Sequence, residues 1–261
     1  MPPDMRPHEQ NVVITGGAGG LGRAAARAFI GAGARVVLAD VDRGALDRAI
    51  EDIQAPASAL RALACDVGDA GECEAMVGEA QAWFGAPLDV FIANAGRPFG
   101  GSLLDASVQQ IRSVIDVNVT GSILSAQAAL RSLVHGRSPS LLFTGSLQSV
   151  AGRAQRSVYT ASKHAIAGLV KALALEMGPL GVRVNGIAPT VVDTPFLRQA
   201  WHDAGIDPAP ALTQAAAALP LGRIPTATDF AQAALFLASP AAASITGHML
   251  MVDGGASAGK F

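Results

Sequence analysis

The sequence predicts an α/β fold, a doubly wound parallel sheet of seven strands with helices on both faces in three α/β/α layers. Three observations predict it. Short apolar runs alternate with longer alanine-rich segments of helical spacing, half of the 261 residues are hydrophobic against 15% charged, and a glycine-rich turn follows the first apolar run. Strand–helix alternation requires crossover connections, which are right-handed and build a parallel sheet. Such a sheet is buried on both faces, so its strands read as continuous apolar runs. The runs lie at 12–14, 36–39, 90–93, 141–143, 182–187 and 249–252, with a weaker one at 62–64. Helical spacing covers 20–31, 71–84, 108–133, 159–177 and 228–237.

The length suits one such domain, which would remove about 70% of the extended chain's surface from water. The expected division is a flexible N-terminus, 1–10, followed by a single domain over 11–261. The first ten residues hold three prolines and no apolar core, so they do not read as a secretory signal. One stretch, 194–225, breaks the alternation with Pro195, Pro208, Pro210, Pro220 and Pro225 among apolar residues. It is too long for an ordinary connection and reads either as a lid over a substrate or as an excursion packed on a neighbouring subunit.

Nineteen basic and twenty-one acidic residues give a net charge of −2 with no basic run, which excludes nucleic acid and an anionic membrane as expected partners. No apolar stretch is long enough to span a bilayer. Cys65 and Cys73 make at most one disulfide, and no four-ligand metal set exists, so no metal is expected and the expected setting is reducing and cytoplasmic.

The turn after the first run reads Thr15-Gly16-Gly17-Ala18-Gly19-Gly20-Leu21-Gly22. Glycines let a backbone approach a pyrophosphate whose charge rests at the following helix N-terminus, the arrangement of Rossmann-like folds. Two spacings fit, Gly17/Gly19/Gly22 and Gly16/Gly20/Gly22. Asp40, at the end of the second run, is placed to accept the ribose hydroxyls of an adenosine, or else to cap the next helix. A 2′-phosphate there would meet this carboxylate at a cost of about 4 kcal/mol for a charge pair at 4 Å and an effective dielectric near 20. NAD is therefore expected over NADP, with Arg43 the one nearby cation that opposes the choice.

Tyr159, the only tyrosine, precedes Lys163 by four residues, so a helix places both on one face. A phenol with pKa about 10 needs to fall by roughly 3 units to act as acid and base near neutrality, and a close ammonium is expected to supply that. Ser146 follows the 141–143 run, at the carboxyl end of the sheet where such folds bind ligands.

Gly16-x-x-x-Gly20-x-Gly22, Asn94-Ala95-Gly96, Asn118, Ser146 and Tyr159-x-x-x-Lys163 together resemble the short-chain dehydrogenase/reductase pattern over about residues 10–255. The resemblance settles the glycine register on Gly16, Gly20 and Gly22, with Leu21 beside them. It implies that Tyr159 exchanges the substrate proton while hydride moves to or from a nicotinamide, and that Ser146 hydrogen-bonds the reacting oxygen. It further implies that Lys163 lowers the phenol pKa and binds the nicotinamide ribose, while Asn118 holds a water extending the proton relay. Asp66 and Val67 would contact adenine, Asn94, Ala95 and Gly96 would form the cofactor floor, and Pro189, Val192 and Thr194 would meet the nicotinamide.

Two departures stand out. The usual Asn-Asn-Ala-Gly reads Ala93-Asn94-Ala95-Gly96, one amide short. The usual Pro-Gly reads Pro189-Thr190, and a β-branched residue resists positive φ. Gln148, Arg153, Phe196 and Trp201 are the expected substrate contacts, with Arg153 and Arg156 able to meet an acidic group or simply solvent. The resemblance also implies a homotetramer paired through the tyrosine-bearing helix and its neighbour, which small residues at Ala161, Ala165 and Ala172 would permit. The expected activity is NAD(H)-dependent interconversion of a small-molecule secondary alcohol and its ketone. An NADPH-dependent 3-oxoacyl-thioester reductase and a non-catalytic nucleotide-binding regulator are the alternatives.

Overall fold

A computed structural model of the chain describes residues 10–202 and 204–259. Most of the stretch expected to be flexible, residues 1–9, lies outside the described residues. Gln10 at its boundary is buried, and its Nε2 donates to the Ala238 carbonyl at 3.3 Å.

Among the described residues the seven expected strands form one sheet: β1 (Asn11–Thr15), β2 (Arg35–Asp40), β3 (Leu60–Ala64), β4 (Val90–Ala93), β5 (Ser140–Thr144), β6 (Arg183–Pro189) and β7 (Met249–Val252). Their order is β3-β2-β1-β4-β5-β6-β7, and every neighbouring pair is parallel. The chain winds outward from β1 in one direction and then from β4 in the other. The reversal opens a crevice beyond the carboxyl ends of β1 and β4.

Successive strand side chains point to opposite faces, and both faces are covered. Val12, Ile14, Val36, Leu38 and Ile92 pack against α1 (Gly20–Gly31), α2 (Arg43–Ile53) and α9 (Ala227–Ala238) through Phe29, Leu46 and Phe230. Val13, Val37, Phe91, Leu141 and Val184 pack against α3 (Ala70–Phe84), α5 (Ser122–Leu133) and α6 (Ser157–Met177) through Met76, Ala129 and Ile166. Each large aliphatic side chain buried this way contributes about 1.5–3 kcal/mol, which is why uninterrupted apolar runs specify the sheet.

Three elements refine the expectation. The 108–133 segment is α4 (Val108–Ile115) and α5 joined by a π-helical stretch, Asp116–Gly121. The 194–225 excursion contains α7 (Pro195–His202) and α8 (Pro208–Ala217). Asp42, not Asp40, caps α2, its Oδ1 accepting from the Ala45 amide at 2.9 Å. Helices α3, α4, α8 and α9 also begin on capping side chains, Asp69, Ser107, Asp207 and Thr226. Helix α1 has no side-chain cap and no acidic residue in its first turn, and α6 likewise starts uncapped, at Arg156. Both begin at the crevice.

Candidate active site

One cleft runs along the carboxyl edge of the sheet, from Asp40 and the glycine turn to the excursion after β6. The turn is forced by sequence. Gly16 has φ +59°, and a Cβ there would lie 2.8 Å from Ala95 Cα; a Cβ on Gly22 would lie 2.5 Å from the Gly16 carbonyl oxygen. Gly19, Gly20 and Leu21 line the cleft where α1 begins, so the uncapped first-turn amides offer their positive end to an anion. Thr194 stands opposite, with its Cγ2 2.9 Å from where a Gly20 Cβ would be.

Asn94 ties this floor together. Its Nδ2 donates to the Thr15 and Gly16 carbonyls at 3.1 and 3.0 Å, and its Oδ1 accepts from Thr144 Oγ1 at 3.0 Å. The missing amide at buried Ala93 leaves that network complete. Asp40 lines the cleft, its Oδ2 accepting from the Ala18 amide and its Oδ1 from the Asp42 amide, both at 3.2 Å. Arg43 is exposed in the first turn of α2 and is not among the cleft-lining residues.

Ser146, Tyr159 and Lys163 line one stretch of the cleft. Helix α6 presents the phenol and the ammonium one turn apart, with Lys163 Nζ 5.6 Å from the Tyr159 ring centre and donating to the Thr144 carbonyl at 2.8 Å. Ser146 Oγ donates to Gln148 Oε1 at 2.5 Å. The electrostatics differ from the sequence expectation. Burial dominates and pushes the Tyr159 phenol up to about 12, while the Ser146 hydroxyl and then the Arg156 charge pull it back down. Burial also pushes Lys163 down to about 8. The phenol is thus held protonated at neutral pH, and Arg156 is the cation that favours its ionised form.

The structure separates several other expected site residues from the cleft wall. Asn118 is buried in the π-helical stretch, where its Oδ1 accepts from the Arg97 amide at 2.7 Å and its Nδ2 donates to the Arg97 carbonyl and Ser162 Oγ. Asp66 is exposed and accepts from the Gly68 amide; Val67 is buried against Gly121, whose Cβ would lie 2.6 Å from Val67 Cγ2. Gly22 and Ala95 support the turn from behind. Gly96, Pro189, Val192 and Thr194 do line the cleft. Thr190 lines it too and is not among the positive-φ residues, so the β-branched side chain replaces glycine there without that strain.

At the far end Gln148, Arg153, Phe196 and Trp201 lie together, with the Phe196 ring 6.5 Å from that of Tyr159 and Trp201 buried. Pro98 and Leu197 line the wall beside them, and Thr144 belongs to it without having been singled out, since no motif marks it. His164 faces away, exposed, with Nδ1 3.0 Å from the Thr160 carbonyl oxygen.

Comparison with known proteins agrees with this architecture. Residues 16–257 match a family model described as enoyl-(acyl carrier protein) reductase. The chain is 34% identical over 252 residues to a 2,5-dichloro-2,5-cyclohexadiene-1,4-diol dehydrogenase of Sphingobium indicum, covering 95% of this chain and 97% of that protein. It is 37% identical over 254 residues to a cis-4-hydroxycyclohexanecarboxylate dehydrogenase of Sinomonas cyclohexanicum, covering 96% and 97%. The crystal structure of a levodione reductase superposes with a TM-score of 0.90 at 29% identity, over 96% of this chain and 98% of that one. A family match over nearly the whole length, on a doubly wound sheet, places the protein: the chain belongs to the short-chain dehydrogenase/reductase family.

Proposed function

We propose that this oxidoreductase of the secondary-alcohol and ketone class uses NAD(H), with Tyr159 as general acid and base. The observation that carries the reading is the shared cleft: a glycine turn and an uncapped helix N-terminus at one end, and Ser146, Tyr159 and Lys163 farther along the same wall. The cleft's chemistry suits a dinucleotide. The free amides of α1 would hold the pyrophosphate, Asp40 the adenosine ribose, and Pro189, Val192 and Thr194 the nicotinamide. Bound there, the nicotinamide supplies or takes the hydride.

In the reducing direction the protonated Tyr159 donates its proton to the carbonyl oxygen, and in the oxidising direction the phenolate takes it back. Ser146 Oγ donates to the same oxygen, which replaces Gln148 Oε1 as its acceptor. Lys163, anchored through one N–H on Thr144, keeps two donors for the nicotinamide ribose. Asn118 acts from behind: its side chain fixes the Arg97 backbone and Ser162, and Ser162 Oγ in turn donates to the Tyr159 carbonyl at 2.7 Å. Asp66 and Val67 would border the adenine from outside the cleft wall. Helices α7 and α8 form the substrate lid of a single domain. The exposed stripe Ala161, Ala165 and Ala172 on α6 suits a homotetramer, and the two free, buried cysteines suit a reducing cytoplasm.

NAD over NADP rests on Asp40, which lines the adenosine end where the glycine turn offers no cation. Fluorescence titration of NADH and NADPH tests it. NADH should bind at least tenfold more tightly, and equal or tighter NADPH binding would overturn the choice.

A further inference from the structure

The mechanism leaves two cations in the cleft without an anionic partner. Arg153 and Arg156 both line it, just before the helix that carries Tyr159. Arg156 is half-buried and its Nη1 donates to the Phe99 carbonyl at 2.7 Å. The neighbouring Gly100 makes room for this guanidinium, since a Cβ there would lie 2.8 Å from Nη1. Among the described residues no carboxylate pairs with either arginine. Asp193, at the start of the excursion after β6, is held in a two-pronged pair by Arg198 at 2.7 and 2.8 Å. Asp40, the only carboxylate among the described residues that line the cleft, belongs to β2, three strand spacings from β5, on the order of 14 Å.

We infer that the substrate of this cleft carries a carboxylate, bound by Arg153 and Arg156, on an apolar ring or chain that rests against Phe99, Phe196 and Trp201. The inference rests on the reading of the cleft as the active site and adds the substrate's charge to it. Two guanidiniums side by side repel, and burial and Arg153's charge push Arg156 below the ordinary arginine range. An anion between them relieves both costs. The uncapped start of α6 adds its positive end to the same spot. Planar guanidinium forks match a carboxylate in two-point geometry, giving orientation as well as attraction. With its charge fixed beside the start of α6, the substrate presents its carbonyl one helical turn on, toward Tyr159.

The test compares positional isomers of oxocyclohexanecarboxylate with their methyl esters, which keep the ketone and ring and remove the charge. Each is assayed with NADH and with NADPH. For at least one isomer kcat/KM for the acid should exceed that for the ester by tenfold or more and fall with added salt, while the ester's does not. In Arg156→Gln the acid-to-ester ratio should drop toward one, a change that a general loss of activity does not produce, and Arg156→Lys should restore part of it. Arg153→Gln, which removes no hydrogen bond to the fold, provides the same reading if Arg156→Gln disturbs the Phe99 loop. Esters equal to or better than acids for every isomer, or a ratio unmoved in both glutamine variants, would overturn the inference. If no ketone oxidises either cofactor, the redox reading fails separately. Calorimetric binding of acid against ester, to the unmodified protein and to Arg153→Gln, then decides the anion site by itself.

Discussion

At one end of the cleft the wall is backbone. Gly16, Gly19, Gly20 and the amides beginning α1 face the cleft, braced by Asn94 and by Thr194 across the gap. At the other end the wall is side chain, with Gln148, Arg153, Arg156, Phe196 and Trp201 drawn from the segment before α6 and from α7. Backbone walls suit a group whose chemistry does not vary, such as a pyrophosphate, and they tolerate no added atom. Side-chain walls can change in shape and charge without disturbing the backbone beneath them. The contrast explains why the reaction class can be read from this chain more readily than the molecule it acts on.

The contrast can be broken most severely at the turn. Gly22→Val drives a branched side chain into the Gly16 carbonyl, so NADH affinity should fall at least a hundredfold and the melting temperature should fall with it. Gly78→Ala, in open space on α3, is the control and should leave NADH binding unchanged while stabilising by about 0.4–1 kcal/mol. Similar losses in both variants would show that the crowding at Gly22 has no special consequence.

A smaller effect sharpens the comparison at the side-chain end. Because Tyr159 is the sole tyrosine, ultraviolet phenolate absorbance reports it alone. Its midpoint should lie near 12, with circular dichroism confirming that the chain is still folded. In the unfolded chain the same phenol ionises near 10. The raised folded value therefore gives a stabilisation that is complete below pH 10 and is lost as pH rises to 12. Arg156→Gln removes a charge that favours the phenolate and should move the midpoint higher. A midpoint at or below 10 in the folded protein would contradict the dominance of burial.

The seven apolar runs were legible because both faces of the sheet are buried, which leaves few polar residues inside the strands. That the glycine turn, Ser146 and the Tyr159–Lys163 pair share one cleft was legible because their residue types and spacings form one ordered pattern at the carboxyl ends of the strands. The π-helical stretch at Asp116–Gly121 was not, since one wider turn leaves no mark in a 26-residue helical pattern; its effect appears only in where Asn118 and Ser122 make their hydrogen bonds. Asp40 and Asp42 are both acidic residues between a strand and a helix, and only coordinates show that Asp42 caps while Asp40 braces the turn. The four-residue spacing makes Lys163 the expected source of a lowered phenol pKa. Spacing shows neither the burial that raises the phenol instead nor the Thr144 carbonyl that holds the ammonium.

Replacing Tyr159 with phenylalanine and measuring turnover and NADH affinity on the same sample tests the account most directly. The ring and its packing against Phe196 remain, and only the phenolic hydroxyl, with its exchangeable proton, is lost. Turnover should fall by roughly two to four orders of magnitude, the usual contribution of a positioned acid–base group, while the NADH dissociation constant changes by less than about threefold. Turnover close to that of the unmodified protein would contradict it.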